Sequence, residues 1–161
     1  MAVSPSVERV RAALLAGGHA DEITEFPEGT RTAEDAAAAV GCAVAQIAKS
    51  IVFRTSERAV VVISSGANRV DARKLAAAIG LAVKRADAEF VRTVTGFAIG
   101  GVAPVGHLAP PILVFDRDLL GLHPIWAAAG SPTHVFETEA AALVRITGAL
   151  VADIRQEEQA S

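Results

Sequence analysis

The feature that most constrains this chain is a pair of β-branched runs, Ile51-Val52-Phe53 and Ala59-Val60-Val61-Val62-Ile63-Ser64, separated by Thr55-Ser56-Glu57-Arg58. So short a connection pairs the runs antiparallel, because a parallel partner needs a crossover of a dozen or more residues. The second run lacks polar alternation and reads as a strand buried on both faces. Another short connection, residues 130–133, joins a strand around Ile125 to Ala128 to one at His134 to Phe136. Helical patterns interleave with these pairs, so the expected class is α/β of the α+β type with a mixed sheet, not a doubly wound parallel one.

Ser4-Pro5 opens a helix whose stripe Val7, Val10, Leu14 and Leu15 stops at Gly17-Gly18. A polar, Pro- and Gly-containing stretch follows from Asp21 to Thr30. Thr32, with Asp35 three residues on, starts an alanine-rich helix ending near Gly41, and a further short helix is expected from about Ala43 to Lys49. Asp71 to Ile79 reads as a helix closed by Gly80, and Asp87 starts one reaching about Val94. A Gly-rich stretch, a strand at Ile112 to Phe115, a helix from about Glu137 to Ile146 and a last strand near Leu150 to Ile154 complete the order. At 161 residues the chain is expected to be one domain, 1–161.

Composition closes off several classes. Hydrophobic residues reach 52% with charged residues at 20%, so the chain can offset the entropy cost of folding. Cys42 is alone and suits a reducing compartment, and Met1 to Glu8 carry no secretory pattern, so a cytoplasmic protein is expected. No apolar run approaches the ~20 residues of a membrane span. The absence of Tyr and an aromatic content of 4% argue against an aromatic platform for stacking bases. The net charge of -3 conceals a sorted distribution. Residues 1–48 hold three basic and seven acidic residues, 49–92 nine and four, and 93–161 three and seven. The middle third is therefore +5 between two segments of -4, and such a cluster either binds phosphates or forms ordinary solvated faces.

Side chains offering chemistry are few. His19, His107, His123 and His134 lack metal-ligand spacing, and one Cys supplies no thiolate set, so no metal is expected. Ser64-Ser65-Gly66 and Gly130-Ser131-Pro132 fit turns better than a nucleophile elbow. Residues 96–106, GFAIGGVAPVG, match neither the GxGxxG nor the GxxxxGK[ST] pattern. They read either as a loop presenting backbone N–H groups to an oxyanion or as a bulged strand or tight bend. Lys49 is the single charge along residues 36–53 and either serves a site or complements a helix dipole. Cys42 and Trp126 read as core packing, and Asp116 as the cap of the turn after its strand.

Taken in order, these pieces resemble the YbaK/EbsC family, which includes aminoacyl-tRNA deacylases acting in trans and the editing domain inserted in bacterial prolyl-tRNA synthetase. The resemblance is carried by Thr32 to Ala37 leading through Ile47-Ala48-Lys49-Ser50-Ile51-Val52-Phe53, by Arg69 to Ala76, and by Gly96-Phe97 with Gly100 to Gly106. Trp126 to Pro132 through Val151 to Ile154 also fits. It implies a mixed, partly barrel-like sheet flanked by helices, with the acceptor end of a mischarged tRNA in a cleft. Lys49 matches the family's functional lysine and would hold the terminal adenosine or its phosphate. Gly100, Gly101, Val102, Ala103 and Pro104 match its GxxxP loop, whose amides would bind the ester carbonyl, with Gly100 and Gly101 in the catalytic role. His107, Gly130 and Ser131 are further expected substrate-binding residues. The resemblance implies no cofactor, a mischarged tRNA as partner with prolyl-tRNA synthetase as a possible second one, and neither membrane nor DNA. Where the Cys-tRNA(Pro) deacylases lead one to expect a Gly-rich turn and then an acidic residue, this chain reads Gly130-Ser131-Pro132-Thr133-His134-Val135-Phe136, which leaves alanine, cysteine and other small amino acids open. The alternative is a non-catalytic module of the same fold that binds an acceptor end or a small ligand.

Overall fold

The computed structural model describes residues 4–30 and 32–157. The expected hairpin is its centre. Strand β2 (Ile47–Arg54) pairs antiparallel with β3 (Ala59–Ser65) in an unbroken register from Arg54 opposite Ala59 to Ala48 opposite Ser65. Every residue of β3 is buried, and its alternating side chains feed two cores. Val61 and Ile63 pack on one face with Phe97, Phe115 and Phe136, and Val60 and Val62 on the other with Phe53, Leu75 and Ile154. That double burial accounts for the uninterrupted apolar run.

Around the hairpin lie α1 (Pro5–Ala16), β1 (Ile23–Glu25), α2 (Ala33–Val40), α3 (Ala72–Ile79), β4 (Lys84–Arg85), α4 (Ala88–Thr95), β5 (Ile112–Asp116), β6 (Ile125–Ser131), β7 (His134–Thr138), α5 (Ala140–Thr147) and β8 (Leu150–Ala152). The sheet runs β1-β7-β6-β2-β3-β5-β8, with β4 attached to β2. The β1/β7, β6/β7, β2/β3 and β2/β4 pairs are antiparallel, whereas β2/β6, β3/β5 and β5/β8 are parallel. The mixed α/β class read from the two short connections is therefore the one observed, an eight-stranded mixed sheet flanked by five helices.

Local chemistry starts the helices where the sequence indicates. The Thr32 hydroxyl accepts the Asp35 amide at the head of α2, the Asp71 carboxylate accepts the Arg73 and Lys74 amides at α3, and Asp87 accepts the Phe90 amide at α4. Gly80, at φ +71°, supplies the left-handed residue that ends α3. Asp116 caps the turn after β5 by accepting the Asp118 amide, and its second oxygen also accepts the Ser65 amide and the Asn68 side chain.

Three local expectations are corrected. Residues 43–49 do not form a helix: a single 3₁₀ turn spans Val44–Gln46, and β2 begins at Ile47, which places Lys49 inside a strand. The segment is rich in helix formers, but pairing with β3 outweighs their preference, as the bond from the Gly66 amide to the Ile47 carbonyl at 2.7 Å shows. The stretch from Asp21 to Thr30 contains the short strand β1, held on β7, and β4 is a two-residue strand that the sequence pattern does not signal. The last helix starts at Ala140 instead of Glu137 because β7 continues through Thr138.

Candidate active site

One edge of β2 is fully paired with β3, but its other edge is shared. β6 covers Ile47 and Ala48, β4 covers Phe53 and Arg54, and residues 49–52 between them have no strand partner on that side among the described residues. Peptide groups alternate in direction along a strand. Since the Ile47 carbonyl points to β3, the N–H and C=O of Ser50 face the gap. A cavity of about 210 Å³ opens there. Its walls include Ala33 and Ala36 of α2, Trp126 and Ala127 of β6, and Val91 of α4, so it is mostly apolar.

Among the described residues, Lys49 and Arg85 are the two ionisable ones that line this cavity, and no carboxylate does. Lys49 is exposed and has no hydrogen-bond or ion-pair partner among the described residues. Ser50 lies beside it. Its hydroxyl is buried and, among the described residues, lacks a partner, and no histidine of those residues lines the cavity to activate it. The site therefore offers cationic positioning and open peptide groups, not a nucleophile with its base.

The Gly-rich segment enters the cavity through Ile99, Gly100 and Val102. Gly100 takes φ +93°, a left-handed conformation that favours glycine. The Gly101 amide donates to the Ala98 carbonyl at 2.9 Å and closes a turn. That bond commits the Gly101 N–H inside the loop. The amides of Gly100 and Val102 have no acceptor among the described residues. Ala103 is buried, and its carbonyl accepts from His107 Nε2 at 2.8 Å.

The remaining residues singled out by sequence stand away from the cavity. Pro104 and His107 line a separate groove at the C-terminal ends of α1 and α5. The His107 ring meets Phe97 edge-on at 5.7 Å. Burial first, then the neighbouring Arg9 charge, lower its pKa from 6.5 to about 4, against the opposing effect of its bond to Ala103. Folded His107 is therefore neutral at pH 7, whereas the unfolded chain protonates it below about 6.5. The unfolded state binds more protons in that window, so stability falls as pH drops from about 6.5 toward 4. The expected loss attributable to this group is up to about 3 kcal/mol. Denaturant titrations at pH 7, 5 and 4 should show it, and His107→Phe should flatten the dependence. Gly130 and Ser131 brace the loop from behind. Ser6 Oγ donates to the Gly130 carbonyl at 2.7 Å, and the Ser131 backbone lies directly against Gly101.

Sequence reading missed Arg85, Ser50 and Trp126 as lining residues. Arg85 was legible as one of a basic group, but nothing local announces that β4 brings it to the rim. Trp126 read as core, and it does pack against the Ala33, Ala36 and Ile47 cluster while also facing the cavity.

Among the described residues the chain thus combines a mixed sheet, a gap on one strand edge, a cavity in that gap lined by two cations and no carboxylate, and a Gly-rich loop at its wall. Residues 27–146 match the family model of the aminoacyl-tRNA editing domain, and the chain belongs to that family. The YbaK/EbsC resemblance is therefore upheld. A crystal structure described as a candidate trans-editing enzyme for prolyl tRNA synthetase superposes with TM-score 0.90 at 44% identity, covering 97% of this chain and 100% of that one. The uncharacterized protein YwhH of Bacillus subtilis (strain 168) is 28% identical over 133 residues, covering 82% of this chain and 85% of YwhH. A proline–tRNA ligase of Pelotomaculum thermopropionicum is 27% identical over 128 residues, and this match spans 79% of the chain but 22% of the ligase. Among the described residues, no helix is long and apolar enough to cross a membrane.

Proposed function

We propose that this chain is a cytoplasmic trans-editing deacylase that hydrolyses the ester of a mischarged tRNA, tRNA(Pro) carrying alanine, cysteine or another small amino acid. The observation that carries the proposal is the cavity in the β2 gap, lined by Lys49, Gly100 and Val102 and by no carboxylate among the described residues, with the Gly100 and Val102 amides free of any acceptor among those residues. Lys49 holds the terminal nucleotide as a point charge. The Gly100 and Val102 amides bind the ester carbonyl and stabilise the oxyanion that forms when water adds to it. The carbon–oxygen bond to the ribose then breaks, and the departing ribose oxygen takes up a proton from the attacking water, the vicinal ribose hydroxyl assisting. No side-chain nucleophile is required, so catalysis rests on positioning.

The cavity of about 210 Å³ suits a small aminoacyl group. Each methylene added or removed at such a wall changes discrimination by about 1–3 kcal/mol. A panel of tRNA(Pro) charged with Ala, Cys, Ser or Thr, incubated with the purified chain, tests the function. Release of at least one amino acid well above spontaneous hydrolysis is expected. Saturable binding of tRNA with no release from any member would replace the proposal with a non-catalytic binding module. Partnership with prolyl-tRNA synthetase would show as faster release when the synthetase is added.

A further inference from the structure

The nine cations of the middle third separate into two groups once their contacts are traced. Arg54 lies over the Phe90 ring at 3.9 Å and donates to the Thr55 and Ser56 carbonyls. Arg58 donates to the Pro110 carbonyl, and Lys74 pairs with Asp153 and Glu157. These three serve the fold. Lys49, Arg69, Arg73, Lys84, Arg85 and Arg92 have no acceptor among the described residues, and of these six only Lys49 and Arg85 line the cavity.

Register places those two cations on one face. Lys49, Ile51 and Phe53 alternate to the same side of β2, and Arg85 stands directly opposite Phe53 on β4. Directly opposed residues share a face, and the Arg85 guanidinium accordingly lies over the Phe53 ring at 5.9 Å. That separation is at the outer limit of a cation–π contact, so the head group is weakly held. Four residue steps along β2 put the two cations roughly 13 Å apart at the backbone. They stand at opposite ends of the gap, Arg85 at the rim, and among the described residues no carboxylate lines the space between them.

We propose that Arg85 is a phosphate-binding residue that takes a phosphodiester of the single-stranded 3′ end of the tRNA while Lys49 holds the terminal nucleotide. This rests on the editing function proposed above. A guanidinium suits the role because it can engage two phosphate oxygens at once, and an exposed, unpaired arginine loses no internal bond in doing so. Arg85 is thus a positioning residue for the reaction, and the two cations fix the direction in which the strand enters.

The test measures tRNA affinity between 50 and 200 mM salt, together with deacylation kinetics, for the unmodified chain, Arg85→Gln and Arg85→Lys. Loss of one phosphate contact to a single strand should lower the slope of log affinity against log salt by about 0.7. In Arg85→Gln, Kd and KM should rise about tenfold with kcat changed far less, and Arg85→Lys should restore the slope and most of the affinity. An unaltered salt slope in Arg85→Gln, or a fall in kcat at constant KM, overturns the assignment. If the unmodified chain releases no amino acid yet binds tRNA with an Arg85-dependent slope, the editing reading fails while the phosphate contact stands.

Discussion

Lys49→Ala should lower kcat/KM for deacylation of mischarged tRNA by at least about a hundredfold, the order of loss that follows when a reacting group is no longer held in place. Its folding stability should stay within about 0.5 kcal/mol of the unmodified chain, because surface substitutions away from special features are usually that mild. Lys49 is exposed, and its ammonium has no partner among the described residues to lose. Activity and stability are thus expected to separate cleanly, which a structural lysine would not allow. Steady-state deacylation beside a thermal melt decides it. Retained activity in a folded variant would remove Lys49 from the site, and a large drop in Tm would show that its role is structural. Lys49→Arg sharpens the comparison. It keeps the charge but spreads it over a planar fork, and a site using a compact ammonium should recover only part of the rate.

What could be read beforehand follows from how local each interaction is. β3 was legible because burial on both faces leaves a continuous apolar run, and the starts of α2, α3 and α4 were legible because Thr32, Asp71 and Asp87 cap amides two or three residues ahead. The strand position of Lys49 was not. Its segment favours a helix, and the ladder that overrides this preference comes from residues 59–66, which no local window contains. The gap that makes the site is more distant still, since it exists only because β6 stops covering β2 at Ala48 and β4 resumes at Phe53. Arg85 becomes a rim residue through that pairing alone. The Gly-rich segment shows the same limit at short range. Its glycines indicated close backbone approach, but which amides stay open depends on the turn that Gly101 closes onto Ala98. From Pro104 the chain bends away and lines the other groove through His107.

Gly101→Ala should cost both stability and rate, for a reason distinct from backbone strain. Gly101 does not have a positive φ. The constraint is space: a Cβ there would stand 2.7 Å from the Ser131 carbonyl carbon, 2.8 Å from the Ser131 Cα and 3.0 Å from the Pro132 nitrogen. All three are backbone atoms of the β6–β7 turn, so no rotamer change relieves the contact. Either the loop or the turn must move. The turn is tied down, since the Gly130 carbonyl accepts from Ser6 and the Pro132 carbonyl from the Thr30 amide and hydroxyl. The displacement therefore falls largely on residues 100–102, which shifts the Gly100 and Val102 amides from the carbonyl they are proposed to hold. Overpacking of this kind costs about 1–3 kcal/mol of stability, and misplacing oxyanion donors costs on the order of a hundredfold in kcat. Gly121→Ala is the matched control, because nothing lies within 4 Å of its Cβ position and its φ is not positive. It should leave both quantities close to those of the unmodified chain. If Gly101→Ala loses stability but keeps kcat, the loop is a brace and the oxyanion donors lie elsewhere. If kcat falls in proportion to the displacement while KM holds, the packing of Ser131 against Gly101 is what aims the amides, and the turn beyond the cavity acts on the reaction without touching the substrate.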